Sequence, residues 1–159
     1  MRRVHLGMAA TVVLFLAACG VDGVGPRGSE DVPAVTAHGA TAVDWAEDWQ
    51  TAFERADREG KPVLVSFYAD WCVWCKRLES TTYRDAGVAS VLASEVVPVN
   101  LDVDAEGREL SDDHRVNGLP TVVLFAPDGR EIGRIGGYLP PGKFLDSLRE
   151  ILGPSPAAG

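Results

Sequence analysis

Residues 63–76, with the sequence VLVSFYADWCVWCK, join a run of apolar residues to two cysteines. The first six of these residues are nearly all apolar, which is typical of a β-strand that is covered on both faces. Cys72 and Cys75 follow at the start of a helix that we predict over about residues 72–83. Two cysteines three positions apart on a helix are neighbours, so they can close a disulfide. The stretch therefore predicts a buried strand that leads into a helix through a pair of thiols.

The two cysteines are expected to differ in reactivity because they occupy different positions in the helix. Cys72 lies at the predicted N-terminus, where unpaired N–H groups and the helix dipole favour a thiolate. Cys75 lies one turn further in, where we expect it to be shielded and less acidic. We infer that Cys72 forms the mixed disulfide with a partner and that Cys75 resolves it.

The sequence on either side of this stretch predicts an α/β domain. Before it, Asp44 and Glu47 form a D-x-x-E start signal for a helix that ends at Gly60 and Pro62. After it, the patterns predict a helix over 86–93, a strand over 96–103, a helix over 106–115, a hairpin of strands over 121–125 and 131–135, and a final helix ending at 152. Pro98 cannot donate to a β-ladder, so its strand is expected at a sheet edge. This order predicts a mixed central β-sheet flanked by helices.

The N-terminal segment has the pattern of a secretory signal. Arginines at positions 2 and 3 precede a mostly apolar stretch over residues 4–18, which is too short to cross a ~30 Å hydrocarbon layer comfortably. The stretch ends in Leu-Ala-Ala before Cys19 and resembles the bacterial lipobox. That resemblance implies cleavage before Cys19 and a lipid on its thiol. An ordinary signal peptide cut nearby and an uncleaved anchor remain the alternatives.

The predicted domain organisation has four segments. Residues 20–41 are rich in Gly, Pro and small polar residues without periodicity, which indicates a flexible tether, although residues 32–36 can pair as a short first strand. The predicted segments are a lipoprotein signal peptide (1–18), a lipidated N-terminus with a flexible linker (19–43), a folded domain (44–153) and a tail (154–159). We therefore expect an extracytoplasmic protein that lipid on Cys19 anchors to the membrane.

Length, charge and cysteine count exclude several classes of protein. The chain has 159 residues, which gives room for one domain of ordinary size. Its net charge of −8 repels phosphate backbones, so we do not expect it to bind nucleic acid. Its three cysteines are too few for a disulfide-stapled scaffold, and burial must hold the fold together.

Three other uses of the cysteine pair are weaker alternatives. A structural zinc site needs four ligands, and beyond the pair the mature chain offers only His38 and His114, neither spaced like a zinc-finger pair. Two thiolates suit Cu(I), but no nearby Met or His completes a copper site, so a Cu(I)-binding assembly factor is the weaker alternative. A static structural disulfide would gain little from closing so short a loop. We therefore predict redox chemistry at the cysteines, with no metal and no cofactor.

Two segments resemble a known family. Residues 68–76, YADWCVWCK, closely resemble the active-site segment of thioredoxin-like domains, above all the C-terminal domain of the transmembrane thiol:disulfide interchange proteins of the DsbD type. Residues 118–121, GLPT, resemble the second signature of the family, a loop with a cis proline that lies against the cysteine pair. The resemblance covers roughly residues 44–152. It implies a thioredoxin fold, a cis peptide bond before Pro120 and nearby backbone groups that pair with an extended substrate segment.

The sequence departs from the thioredoxin pattern at two positions. Many thioredoxins carry a buried aspartate six residues before the first cysteine, where this chain has Ser66. Glu79 lies four residues after Cys75, where DsbD-type domains also have a glutamate, and on a helix it shares the face of the cysteines. Either Glu79 handles the proton of the resolving cysteine or it is a solvated surface acid. Trp74 stands where thioredoxins typically have proline, and it joins Trp71 as a predicted supporting residue.

These features together predict an extracytoplasmic thiol–disulfide oxidoreductase. We expect a monomeric dithiol reductant or relay that receives electrons from a membrane donor and passes them to oxidised protein thiols. A disulfide-forming oxidase or isomerase is the nearest alternative, because the fold does not set the direction of electron flow.

Overall fold

Four strands form the centre of the structure, a computed structural model that describes residues 43–153. They are β1 (Val63–Tyr68), β2 (Val97–Asp102), β3 (Thr121–Phe125) and β4 (Glu131–Gly136). The sheet has the order β2-β1-β3-β4, in which β1 pairs parallel with β2 and antiparallel with β3, and β3 pairs antiparallel with β4. This arrangement confirms the predicted mixed sheet and its C-terminal hairpin.

The helices of residues 43–153 flank this sheet. They are α1 (Trp49–Glu59), α2 (Val73–Arg77), α3 (Ala86–Glu95), α4 (Arg108–Asp113) and α5 (Pro141–Leu152). A π-helical turn over Leu78–Thr82 continues α2 directly, and in it the N–H of Tyr83 donates to the C=O of Leu78 at 3.0 Å. The predicted helices after the cysteine pair are confirmed, with ends that differ by a few residues. Hydrophobic periodicity does not predict the π-helical turn, because one i→i+5 turn barely changes the pattern.

The predicted start of the first helix at Asp44 is wrong. The helix begins four residues later, where the side chain of Asp48 caps it by accepting a 2.7 Å hydrogen bond from the N–H of Thr51. The preceding backbone is used by the sheet instead, because the N–H of Ala46 donates to the C=O of Pro98 at 2.8 Å. Pro98 itself lies in β2 at the edge of the sheet, as predicted.

The sheet is buried on both faces. One face packs on α3 and α5 through a cluster that includes Leu64, Val122, Leu124, Leu92, Phe144 and Leu148. The other face packs on α1 through a cluster that includes Val63, Val65, Phe67, Val99, Ala52 and Ala56. β1 contributes alternate side chains to both clusters, which confirms that it is covered on both sides. Packing on two faces fixes the carboxyl end of β1, where the cysteine segment begins.

Several predictions lie outside the described residues. These are the signal peptide, the lipidation site Cys19, the linker up to residue 42, the short strand over 32–36, His38 and the tail from residue 154. Val43, the last residue of the predicted linker, packs against the cluster under α3 and α5. Within residues 43–153, no helix is long and apolar enough to span a bilayer.

Candidate active site

Cys72 and Cys75 form a disulfide between the end of β1 and the start of α2. The S–S distance is 2.07 Å and the two Cα atoms lie 5.3 Å apart. Cys72 is the N-cap of α2 in an extended conformation, and its sulfur accepts a 3.0 Å hydrogen bond from the backbone N–H of Cys75. The sequence therefore predicted correctly which residues form the pair and where it lies in the fold.

The two cysteines do not differ in exposure. Cys72 is 5% exposed and Cys75 is 7% exposed, and both belong to a small buried cluster with Ala69. The expectation that Cys75 is more shielded than Cys72 is wrong for the disulfide form, in which both residues belong to this buried cluster. Leu119 and Val103 pack against the cluster from the neighbouring loops. What distinguishes the two sulfurs is the hydrogen bond to Cys72.

The loop before β3 lies against the cysteine cluster. Its Leu119–Pro120 peptide bond is cis, as the family resemblance implied. Thr121 fixes the loop by donating from its hydroxyl to the C=O of Gly118 at 2.7 Å. In the part of the chain that the structure describes, no backbone hydrogen bond involves the N–H or C=O of Leu119. The side chain of Leu119 covers the cysteines while its backbone groups are left for another partner.

Large apolar side chains surround the disulfide at the surface. Trp71, Val73 and Trp74 are 68%, 74% and 53% exposed. Trp71 is held by a 2.7 Å hydrogen bond from its indole N–H to the carboxylate of Asp104. Asp104 is not among the site residues predicted from the sequence. The parallel pairing of β1 and β2 is the signal that could have indicated this contact. Trp71 follows the carboxyl end of β1, Asp104 follows the carboxyl end of β2, and these two ends lie at the same edge of the sheet.

Trp74 lies in a stack of planar groups. Its ring centre is 5.8 Å from that of Tyr138, and the guanidinium carbon of Arg77 lies 5.6 Å from the centre of Trp74 and 5.1 Å from that of Tyr138. The hydrogen bond with Thr81, and then the nearby Arg77, lower the pKa of the Tyr138 hydroxyl below its ordinary value. Sequence patterns do not single out Arg77 and Tyr138, because Tyr138 lies far along the chain from the two residues that it contacts.

A cavity of about 280 Å³ lies behind the disulfide. Cys75, Glu79 and Pro120 all line it, so the structure brings together three of the residues that the sequence selected. Glu79 is exposed at its surface, in the π-helical turn that continues α2. Ser66 and Tyr83 line the same cavity from inside the fold.

Ser66 and Tyr83 form a buried pair of hydroxyl groups. The hydroxyl of Tyr83 donates to Oγ of Ser66 at 3.0 Å, and the two residues are 5% and 2% exposed. Burial raises the pKa of Tyr83 well above its ordinary value, with a smaller contribution from the charge of Glu79, so the phenol stays neutral at neutral pH. The ring of Tyr83 is fixed by edge contacts with Trp45 at 5.0 Å and Phe144 at 5.7 Å.

Metal-ligating side chains are scattered in the described residues. Between positions 43 and 153, no group of three or more His, Cys, Asp or Glu side chains is arranged to hold a metal ion. His114, one of the two histidines weighed as zinc ligands, packs on Phe125 at 4.7 Å between ring centres. Its Nδ1 lies 3.5 Å from a carboxylate oxygen of Glu131.

Comparison with known proteins gives a consistent set of relatives. Residues 49–152 match the family described as "Thioredoxin-like domain". The chain is 38% identical over 125 residues to the thiol:disulfide interchange protein DsbD of Pseudomonas fluorescens. The matched segment covers 75% of this chain and 21% of that protein. A thioredoxin from Thermus thermophilus is 32% identical with a TM-score of 0.64, which covers 69% of this chain and 87% of that one. The oxidised C-terminal domain of DsbD from Neisseria meningitidis is 27% identical with a TM-score of 0.56, which covers 64% of this chain and 91% of that one.

These likenesses confirm the predicted thioredoxin fold and the resemblance to DsbD-type domains. The chain spans about a fifth of the length of the curated DsbD relative, because the match covers 21% of that protein. It covers most of each of the two solved structures. The similarity therefore concerns one domain.

Proposed function

The chain belongs to the family of thioredoxin-like domains, and on that basis we propose that it is a thiol–disulfide oxidoreductase whose redox pair is Cys72 and Cys75. The observation that carries the proposal is the disulfide of these residues at the N-terminus of α2, next to the loop of Pro120. In this proposal Trp71 and Trp74 support the site from the surface, and Glu79 supports it from the cavity.

The reaction transfers two electrons from the dithiol to a partner disulfide. The Cys72 thiolate attacks one partner sulfur, the partner S–S bond breaks, and the second partner sulfur leaves as a thiolate with the bonding electrons. The Cys75 thiol then loses its proton, and its thiolate attacks the sulfur of Cys72. The mixed disulfide breaks, the first partner sulfur also leaves as a thiolate, and the disulfide of Cys72 and Cys75 is formed. Protons from the dithiol or from solvent complete the partner's two thiols.

Proteins are the partners that fit this site. Three large apolar side chains, Trp71, Val73 and Trp74, are exposed around the disulfide, and such a cluster at a surface marks a site of interaction. The backbone of Leu119 has no hydrogen-bond partner in the described part of the chain and can pair with an extended segment. An apolar rim and a free backbone edge suit a polypeptide that presents a disulfide in an extended stretch.

The proposal also includes the direction of electron flow and the location of the protein in the cell. The similarity to DsbD, a protein named for thiol:disulfide interchange, supports a dithiol reductant or relay. The signal pattern and the lipobox-like sequence before Cys19 support a location outside the cytoplasm, with the lipid as the membrane anchor. Electrons would then come from a membrane donor, and the monomeric protein would pass them to oxidised protein thiols.

A reductase assay tests the activity. The reduced protein is mixed with a disulfide-bonded protein substrate and excess dithiothreitol, and the release of substrate thiols is followed. We expect catalytic turnover that a Cys72→Ser variant abolishes and that a Cys19→Ser variant retains, since Cys19 takes no part in the redox cycle. Turnover no faster than with dithiothreitol alone would overturn the proposed activity.

Membrane fractionation tests the anchor separately. The unsubstituted protein should sediment with membranes and incorporate a labelled fatty acid, whereas Cys19→Ala should do neither. Normal lipidation of the Cys19→Ala protein would contradict the lipobox assignment and leave the assigned redox pair unaffected.

A further inference from the structure

Cys75 lines the cavity behind the disulfide, and its sulfur gains a proton only when the disulfide is reduced. Across the described residues, the hydrogen bond that involves a cysteine sulfur is the one from the N–H of Cys75 to the sulfur of Cys72. The cavity beside Cys75 measures about 280 Å³. That is room for several water molecules, each of which occupies about 30 Å³ in the liquid. Water in this cavity therefore offers the Cys75 thiol a route for its proton during the resolving step, with Glu79 further along that route at the cavity surface.

The inner wall of the cavity carries one fixed hydroxyl pair. A serine hydroxyl has one hydrogen to donate and two lone pairs to accept with. Tyr83 donates to Ser66 and so occupies one lone pair, which leaves the hydrogen of Ser66 to be donated elsewhere. Ser66 is 2% exposed and lies on β1, whose packing on both faces keeps this hydroxyl in place. It can hold a water molecule in a defined position between itself and Cys75.

On the basis of the proposed function, we propose that Ser66, held by Tyr83, is a positioning residue for the resolving step. Its hydroxyl holds a water molecule against the sulfur of Cys75, and this water takes the proton of the thiol. The Cys75 thiolate then attacks the sulfur of Cys72 and forms the S–S bond. The bond between Cys72 and the partner breaks, and the partner sulfur leaves with the electron pair.

Other ionisable side chains also reach this cavity and must be separated from Ser66. Those that line it are Tyr68, Asp70, Lys76, Glu79 and Tyr83, and the charges of Asp102 and Glu106 act on Tyr68 from beyond it. Among these side chains, the exposed carboxylate that lies nearest to Cys75 along the chain is that of Glu79. Each Ser66 variant is therefore also made in a Glu79→Gln background. An effect of Ser66 that persists in that background does not act through the carboxylate.

The test follows one turnover with oxidised glutathione. Reduced protein is mixed with oxidised glutathione, quenched with acid at successive times, and analysed by mass spectrometry for glutathione on Cys72. The appearance of this mixed disulfide reports the attack by Cys72, and its decay reports the resolving step. The variants are Ser66→Ala, Tyr83→Phe and Ser66→Thr, with Ser90→Ala on the exposed face of α3 as the matched control.

We expect Ser66→Ala and Tyr83→Phe to slow the decay about fivefold or more, the factor that corresponds to the loss of one neutral hydrogen bond. The pH at which the decay rate of the mixed disulfide reaches half its maximum should rise in both variants. The reason is that the Cys75 thiolate forms at higher pH when no water molecule is hydrogen-bonded to it. The appearance of the mixed disulfide should be unchanged. Ser66→Thr keeps a hydroxyl and should restore the decay, and Ser90→Ala should have no effect.

Three results would overturn the inference. The first is a decay rate and pH profile that are unchanged in Ser66→Ala and Tyr83→Phe. The second is equal slowing of appearance and decay together with a lower unfolding temperature, which would make the pair purely structural. The third is failure of Ser66→Thr to restore the decay. If the unsubstituted protein forms no mixed disulfide at Cys72, the proposed redox pair fails as well, so the two failures are distinguishable.

Discussion

The backbone N–H of Cys75 lies 3.0 Å from the sulfur of Cys72 and donates a hydrogen bond to it. A hydrogen bond to the charged form of a group favours that form, so this contact favours a thiolate on Cys72 once the disulfide is opened. Because the two cysteines are equally buried in the disulfide form, exposure does not assign their roles. The hydrogen bond supports Cys72 as the nucleophile and Cys75 as the resolving thiol.

Substitution of each cysteine in turn tests this assignment. Cys75→Ser should accumulate mixed disulfides between Cys72 and partner proteins, because the step that releases the partner is lost. Cys72→Ser should trap few partners. The measurement is non-reducing electrophoresis of cell extracts followed by mass spectrometry of the trapped species. The reverse pattern would exchange the roles of the two cysteines.

Glu79 is expected to tune Cys75 through the shared cavity. A carboxylate near a poorly solvated thiol disfavours the thiolate by like-charge repulsion, yet it can accept the proton when resolution begins. Glu79→Gln should therefore lower the thiol pKa values and slow the resolving step at neutral pH. Thiol absorbance against pH and reductase turnover measure the two effects, with the exposed Glu109→Gln as the control. If neither quantity changes in Glu79→Gln, Glu79 is only a surface acid.

Asp104 is expected to position Trp71 for protein partners. Removal of the 2.7 Å hydrogen bond in Asp104→Ala frees the indole ring, which should reduce kcat/KM for a protein disulfide about three- to tenfold. The reaction with oxidised glutathione, which is too small to need the apolar rim, should keep its rate. Asp104→Asn retains an acceptor oxygen and should lose less than Asp104→Ala. An equal loss of rate with both substrates would show that Asp104 supports the cysteines and not the apolar rim.

Glu59 should make stability depend on pH in the acid range. Its hydrogen bond to Lys61 and then its pair with Arg55 lower its pKa from the ordinary 4.5 to about 2. A depressed pKa means that the folded state favours the charged form, so the stabilisation is fully present above about pH 4.5 and is lost as pH falls through about 2.

Urea unfolding at several pH values checks this prediction. Glu59→Gln should be less stable than the unsubstituted protein at pH 7, and the difference should disappear near pH 2. The effect should be small, because these side chains are partly exposed. The exposed Glu54→Gln on the same helix serves as the control. A difference that stays constant down to pH 2 would contradict the account of this ion pair.

Local patterns in the sequence predicted much of the fold and the centre of the site. The apolar run over residues 63–68 is sufficient to predict β1, and Pro98 correctly places β2 at an edge. The cysteine spacing predicts the disulfide, and the resemblance at residues 118–121 implied the cis bond before Pro120. Each of these features depends on neighbouring residues or on a short motif.

The features that the sequence did not predict depend on contacts between distant segments. The first helix is capped by Asp48 and not by the predicted Asp44, and the backbone between these two residues pairs with the edge of β2 at Ala46. Tyr83 reaches Ser66 across the fold, and Asp104 reaches Trp71 from the end of a neighbouring strand. The π-helical turn barely changes the hydrophobic pattern, and the similar burial of the two cysteines is a property of the folded disulfide form.

The reduction potential of the Cys72–Cys75 pair tests the central claim most directly. The protein is equilibrated at pH 7 in dithiothreitol and glutathione buffers of known potential, free thiols are alkylated, and the oxidised fraction is measured by mass spectrometry. A dithiol reductant should give a reversible two-electron transition nearer to about −270 mV, as in thioredoxin, than to about −120 mV. A transition near −120 mV would make the protein an oxidant and contradict the proposed direction of electron flow. A pair that does not titrate at all would contradict the oxidoreductase assignment itself.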